Sequence, residues 1–262
     1  MRNRVLFGLG LLLLLTLPSA LIAESPPKQT ILTRSVNVNS KDKKKIAYLK
    51  GTYRALLIGN NDYHFKDQWS TLNTPINDIQ ELADLLSDRY QFDRQHIAMI
   101  KNGTRAQILK AFNQLADKSE PNDSVLVYYA GHGHFDKNKK GYWVPVDGNN
   151  EFDYISNEDI LSKLSTVKVK HKLLISDSCF SGNLMLTTRS RQRTDQIKSG
   201  SSYFRKYNEL SSVHGLSSGG NQPVSDSGEQ WGGHSIFAYH LLAILKVNRE
   251  RFFSATDLIA DL

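Results

Sequence analysis

The segment KLLISDSCFSG, residues 172–182, joins an apolar run to small and polar residues. KLLIS has the length and composition of a buried strand, and Cys179 follows it as the only cysteine among 262 residues. A second segment, VLVYYAGHGHF at residues 125–135, has the same layout and places His132 between two glycines. Two such segments predict a sheet in which reactive side chains follow the ends of buried strands.

Strand and helix patterns alternate on both sides of these segments. The strand patterns are YRALLIG (53–59), HIAMI (96–100) and SVLVYY (124–129). Three helix patterns follow predicted capping residues, which are Thr74 before Pro75, Thr104 with Gln107, and Ser156 with Asp159. Two further helix patterns cover 234–245 and 254–262. This alternation predicts an α/β fold class with a mainly parallel sheet and helices on both faces. Because sites in such sheets gather at the carboxyl ends of the strands, we expect Cys179 and His132 at one edge.

The first 23 residues have the layout of a secretory signal peptide. Arg2 and Arg4 precede an apolar core, and small residues stand at Ala20 and Ala23. We expect cleavage after Ala23, or otherwise after Ala20, with an uncleaved anchor as the alternative. The cleaved protein would be exported, periplasmic or secreted, and not attached to a membrane. Residues 24–50 resemble a flexible polar lead-in, and residues 51–262 form the predicted domain, whose last helix pattern has no terminating signal and suggests a longer protein.

Charge and cysteine content limit the function classes. The formal net charge is +7, or +5 without Arg2 and Arg4, and the basic residues are scattered or lie in predicted loops. We therefore expect no nucleic-acid partner. A single thiol in an exported protein forms an intermolecular bridge, lies buried and inert, or reacts.

A reactive cysteine needs a base that helps to form its thiolate, and histidine is the usual one. His132 lies 47 residues before Cys179, close to the spacing of about 50 residues that is known for one class of cysteine peptidase. His134 is the competing histidine, two residues further along. Alternatively, Cys179 is a small apolar side chain buried in the core, but its pairing with the His132 motif disfavours this interpretation.

Several motifs, in order over about residues 52–260, carry a family resemblance. They are ALLIGNNDY, PINDIQELADLL, YYAGHGHF, GYWVPVDG, DSCFSG and SSGGNQPVSDSGEQWGGHSIFAYHLL. In these motifs the chain resembles the catalytic domain of caspase-like cysteine peptidases. It resembles metacaspases and bacterial caspase-family proteins more than it resembles animal caspases. The resemblance implies a caspase-like three-layer fold, with Cys179 as the nucleophile and His132 as the general acid and base. The backbone amides of Gly133 and Cys179 would form the oxyanion hole.

The same resemblance implies a substrate-binding role for two aspartates, Asp177 and Asp78. Two carboxylates in one pocket would favour Arg or Lys before the cut, whereas animal caspases use basic residues there and cut after aspartate. The alternative for Asp78 is an acid in the first turn that stabilises its helix dipole. Trp143 is expected to pack in the core, and His234 to cap or pack.

The sequence therefore predicts a cysteine endopeptidase that hydrolyses protein or peptide substrates after Arg or Lys. The alternatives are a caspase-fold binding or scaffold protein and an acyl-transfer enzyme that is not a peptidase. We expect no cofactor; many metacaspases need calcium, but no acidic cluster can be assigned to it, which leaves calcium dependence open. Self-processing is expected in the loop at 186–206, at Arg189, Arg191, Arg193, Lys198 or Arg205, unless that loop is a solvated connector.

Overall fold

The structure, a computed structural model, describes residues 51–178, 211–218, 228–249 and 255–262. Cys179, the predicted signal peptide and lead-in, and the predicted self-processing loop lie outside these residues. The predictions made for them stay predictions.

A five-stranded sheet forms the centre of the domain. Its strands are β1 (Tyr53–Gly59), β2 (Phe92–Lys101), β3 (Ser124–Ala130), β7 (His171–Asp177) and β8 (Ser212–Ser217). They lie in the order β2-β1-β3-β7-β8, and each neighbouring pair is parallel. The predicted parallel sheet is confirmed, and β1, β3 and β7, whose carboxyl ends precede the candidate site, occupy its middle.

Helices cover both faces of this sheet and complete the predicted three layers. They are α1 (Pro75–Arg89), α2 (Arg105–Lys118), α3 (Asn157–Thr166), α4 (Ile236–Val247) and α5 (Ala255–Asp261). One core cluster includes residues of α2 and α3, such as Phe112 and Ile160. The other includes residues of α1, α4 and α5, such as Leu82 and Leu241. No helix within the described part of the chain combines the length and apolarity that crossing a bilayer requires.

Helix starts follow the predicted capping residues, with one exception. Thr104 and Ser156 each form a capping box, as predicted, and Ser235 caps α4 by accepting a hydrogen bond from Ala238 N. The prediction that Thr74 caps α1 was wrong, because its side chain makes no cap hydrogen bond. Thr74 already has helical backbone angles, whereas a capping side chain needs an extended backbone. Pro75 at the first position fixes the start of α1 instead.

A small antiparallel sheet was not predicted. It consists of β4 (Gly133–Phe135), β5 (Gly141–Trp143) and β6 (Ile155–Ser156), paired in that order. Strands of two or three residues are too short for a periodic pattern, which explains why the sequence did not reveal them. The consequence for the site is that His132 lies between two strands, β3 and β4, while His134 lies within β4.

A buried ion pair joins the amino ends of the central strands. Asp123 accepts hydrogen bonds from Arg54 Nε at 2.7 Å, Thr52 N at 2.7 Å and Glu120 N at 3.0 Å. Burial alone would raise the pKa of Asp123, but these hydrogen bonds and the Arg54 charge outweigh it and lower the pKa. The ionised carboxylate therefore stabilises the fold.

We expect Asp123→Asn to lower the free energy of unfolding by about 3 kcal/mol, because it leaves Arg54 without its buried anion. Denaturant unfolding at pH 7 measures this. Because the pKa of Asp123 is lower in the folded than in the unfolded state, its contribution to stability is present above the unfolded pKa of about 3.9. This contribution is lost as the pH falls through the pKa of the folded state. The difference between the variant and wild type should therefore shrink below about pH 4. Asp84→Asn, which removes an exposed ion pair with Arg94, should change stability by less than about 1 kcal/mol.

Candidate active site

The carboxyl ends of β3 and β7 lie side by side and in register. Ala130 pairs with Asp177, and Gly131 N donates a hydrogen bond to Asp177 O at 3.3 Å. His132 comes two residues after Ala130, and Cys179 comes two residues after Asp177. The two strands that precede the candidate pair therefore end together at one edge of the sheet, as the sequence predicted. The position of Cys179 itself lies outside the described residues.

Two buried tyrosines hold the backbone of His132. Tyr63 Oη accepts a hydrogen bond from His132 N at 2.7 Å, and Tyr129 Oη lies 2.8 Å from His132 O. A Cβ atom added at Gly131 would lie 2.8 Å from both hydroxyl oxygens. Glycine at this position therefore lets both hydroxyls reach the histidine backbone.

The imidazole of His132 is oriented by one hydrogen bond and two aromatic rings. Nε2 lies 2.8 Å from Ser70 O, and because a carbonyl oxygen can only accept, Nε2 carries the proton in this contact. Nδ1 is then the nitrogen with a lone pair that can accept a proton. The rings of Tyr63 and Trp69 lie 4.7 and 5.2 Å from the imidazole, between centroids. This arrangement presents His132 as a general base.

His134 has different surroundings. Its Nε2 lies 3.4 Å from Glu151 Oε1, and its ring packs edge-on against Tyr154 at 5.4 Å between centroids. Both histidines contact Trp69. Of the two, His132 lies nearer the end of the buried β3 strand and its ring makes the shorter hydrogen bond, 2.8 Å against 3.4 Å, which favours it as the base.

The amide of Gly133 points away from the small sheet. Val144 N donates to His132 O, so the next pair, Gly133 opposite Trp143, is of the non-hydrogen-bonded type. In such a pair the amides and carbonyls face away from the partner strand. Since β4 is an edge strand, this geometry agrees with the predicted role of Gly133 N in an oxyanion hole.

We expect Tyr63→Phe to lower kcat about ten-fold, because it removes the acceptor of the His132 amide and loosens the imidazole. Steady-state hydrolysis of a peptide substrate measures this. Tyr90→Phe is the matched control, since Tyr90 Oη donates to Leu245 O, a residue of α4. If both variants lost stability but kept full kcat, Tyr63 would have no role in positioning the base.

Ser235 lies between the two candidate pocket aspartates, which are both buried. Its Oγ donates to Asp177 Oδ2 at 2.5 Å, and its backbone N lies 3.5 Å from Asp78 Oδ2. Tyr128 Oη also lies 3.3 Å from Asp177 Oδ2. Burial, followed by the charges of Asp177 and Asp78, raises the pKa of Tyr128 well above its usual value, so its hydroxyl remains a donor. The structure thus brings Asp78 and Asp177 together, while their role in substrate binding stays a prediction.

His234 completes this cluster and was not recognised as part of it from the sequence. Its Nδ1 lies 2.7 Å from Asp78 Oδ1, and its Nε2 lies 2.7 Å from Glu81 Oε2. Burial alone would raise the pKa of Glu81, but contacts with Lys246 and His234 lower it. His234 follows its partners by more than 150 residues, so no local pattern could have revealed these contacts.

Trp143 packs in the core, as predicted. Its ring stacks on Tyr129 with centroids 4.3 Å apart, and its Nε1 donates to Ser176 Oγ at 2.8 Å. Ser176 Oγ lies 3.0 Å from Ser178 Oγ. These contacts fix the buried Ser178, the residue immediately before Cys179 in the chain.

A search for metal ligands covers only the described part of the chain. Within it, no group of three or more His, Cys, Asp or Glu side chains is arranged to hold a metal ion. Calcium dependence therefore stays open.

Sequence comparisons find similar proteins among the metacaspases. The chain is similar to Metacaspase-1 of Eremothecium gossypii, with 29% identity over 153 residues that cover 52% of this chain and 33% of the relative. It is also similar to Metacaspase-1 of Ajellomyces capsulatus, with 30% identity over 154 residues, 52% of this chain and 42% of the relative. The alignments therefore span less than half the length of these curated relatives.

The fold and the family are shown by two further matches. A crystal structure of a Geobacter sulfurreducens protein matches with a TM-score of 0.56 and 19% identity, covering 80% of this chain and 87% of the other, which indicates a shared fold. The family model for the caspase domain matches residues 52–260 and so includes both strand-end segments. Since this match covers most of the chain, the chain belongs to the caspase-domain family of cysteine peptidases.

Proposed function

We propose that the chain is a cysteine endopeptidase that cuts peptide bonds after Arg or Lys, with Cys179 and His132 as its catalytic pair. The observation that carries the proposal is the placement of His132. Its tautomer is set by Ser70 O, and it follows a strand that ends in register with the strand before Cys179. Membership of the caspase-domain family supports the reaction class.

The proposed reaction proceeds through an acyl-enzyme. His132 Nδ1 accepts the thiol proton of Cys179, and the thiolate attacks the scissile carbonyl carbon. The amides of Gly133 and Cys179 stabilise the negative oxygen. The imidazolium returns its proton to the leaving amine as the carbon–nitrogen bond breaks. His132 then takes a proton from water, whose oxygen attacks the thioester, and gives the proton back to the leaving thiolate.

The proposed specificity comes from two buried acids. Asp177 lies two residues before Cys179, and Ser235 links it to Asp78. A guanidinium or ammonium group that reached these carboxylates would form charge-assisted hydrogen bonds. A neutral side chain would form no charge-assisted bonds there, and an acidic one would be repelled by the two carboxylates.

A panel of fluorogenic peptides ending in Arg, Lys, Asp or Ala tests this proposal, with and without calcium. The matched control is Cys179→Ala. Rapid, Cys179-dependent cleavage of the Arg and Lys peptides is expected. Cleavage of none of the peptides under either condition would contradict the proposal and favour a caspase-fold binding or scaffold protein.

We also propose that the exported protein, periplasmic or secreted, processes itself in the loop at 186–206. A tethered site has an effective concentration on the order of millimolar, so even a poor sequence is cut. Purified wild type should separate into two fragments, the larger ending at a basic residue between 189 and 206, while Cys179→Ala stays whole. Mass spectrometry identifies the new ends. An intact wild-type chain that still cuts Arg peptides would show that activity needs no processing.

A further inference from the structure

The imidazole of His234 is buried between two carboxylates. Only 6% of the residue is exposed, and both ring nitrogens lie 2.7 Å from carboxylate oxygens, Nδ1 from Asp78 and Nε2 from Glu81. Lys246 Nζ contacts the other oxygen of Glu81. Asp78 is 1% exposed, so the contact between His234 and Asp78 lies inside the protein.

The contacts of the two acids indicate the direction of the hydrogen bonds that the His234 ring makes. The lowered pKa of Glu81 keeps that carboxylate ionised, so it accepts the proton of Nε2. Asp78 lies in the first turn of α1, and its second oxygen faces the backbone N of Ser235, the cap of α4. A carboxylate oxygen accepts, so in this geometry both ring nitrogens donate, which is the hydrogen-bonding pattern of a protonated imidazole.

We propose that His234 is a specificity-determining residue, a built-in cation that offsets part of the Asp78 charge and limits the preference for basic substrate side chains. This inference rests on the proposed function, because it needs Asp78 and Asp177 to form the substrate pocket. The connection between His234 and that pocket runs through Asp78 and Ser235 to Asp177.

The imidazolium and an incoming guanidinium compete for the same carboxylate and repel each other. A glutamine at position 234 would keep an amide N–H and a carbonyl near the acids but would remove the positive charge. For two unit charges about 6 Å apart under protein-like screening, removing the repulsion is expected to favour a cationic substrate about ten-fold or more.

The test is His234→Gln, assayed with two peptides that end in Arg or in citrulline, which has the same shape without the charge. We expect the ratio of kcat/KM for Arg over citrulline to rise about ten-fold, mainly through a lower KM for the Arg peptide. His240→Gln is the matched control, since His240 is an exposed histidine of α4, the helix that follows His234, and its ring contacts Trp231. Its ratio should equal that of wild type.

Other outcomes overturn the inference. An unchanged or lower ratio in a folded, active His234→Gln protein would do so, as would equal losses on both peptides, which indicate a merely structural role. If that variant does not fold, His234→Asn repeats the test. If neither variant folds, ¹⁵N-histidine NMR of Cys179→Ala decides. The ring signals of His234 are those that change when Asp78→Asn is added. If these signals show a neutral ring, they contradict the proposal. A wild type without Cys179-dependent hydrolysis of either peptide would refute the proposed function itself, and this inference with it.

Discussion

Cys179→Ala is expected to abolish peptide hydrolysis, and His132→Ala is expected to lower kcat at least about 10⁴-fold. In the proposed reaction the two residues act as a unit, so removing either would leave only binding and oxyanion stabilisation. The register of β3 and β7 supports this coupling, because it brings the ends of the two preceding strands together. Single-turnover and steady-state assays with an Arg peptide measure the loss.

His134→Ala is the matched control for the histidine. It shares the Trp69 contact with His132 but bonds to Glu151 rather than to Ser70 O. It should retain activity within a few-fold of wild type. Circular dichroism establishes that each variant is folded. Turnover near the wild-type level in folded Cys179→Ala would end the cysteine-peptidase proposal, and inactivity of His134→Ala alone would transfer the base role to His134.

The sequence predicted the large elements of the fold because they have strong local signals. The apolar runs at β1, β3 and β7 and the capping residues Thr104 and Ser156 each mark an element within a few residues of its observed bounds. The small antiparallel sheet and β8 lacked such signals. Their strands are short or mixed in burial, and pairing with distant segments stabilises them.

The prediction of the candidate site rested on two features of the sequence, the strand ends and the family resemblance. Together these features indicated His132 and the two acids, Asp78 and Asp177. The structure brings the two acids together around Ser235. The two features did not reveal His234, the side chain that Asp78 contacts. The His234 contact depends on the packing of α4 against α1, and no spacing in the sequence encodes that packing.

Asp177→Asn is expected to weaken cleavage after Arg by about 30-fold or more, while cleavage after a neutral residue changes little. Removing one partner of a buried charge pair costs about 2–5 kcal/mol, which corresponds to about 30-fold at the lower limit. The contacts of the Asp177 carboxylate include hydrogen bonds from the hydroxyls of Ser235 and Tyr128. Asp78 already shares its carboxylate with His234, so an incoming basic group is expected to depend less on Asp78 than on Asp177.

The Arg and citrulline peptides separate charge recognition from a general loss of activity. Asparagine keeps the shape and a carbonyl oxygen for Ser235 Oγ, so α4 should keep its place. The kcat/KM ratio of Arg over citrulline should fall strongly in Asp177→Asn, less in Asp78→Asn, and not at all in Asp84→Asn, which removes an exposed acid of α1. Because both peptides use the same catalytic pair, damage to Cys179 or His132 would lower both rates together. An unchanged ratio in Asp177→Asn would therefore remove that residue from the specificity pocket without touching the assignment of the catalytic pair.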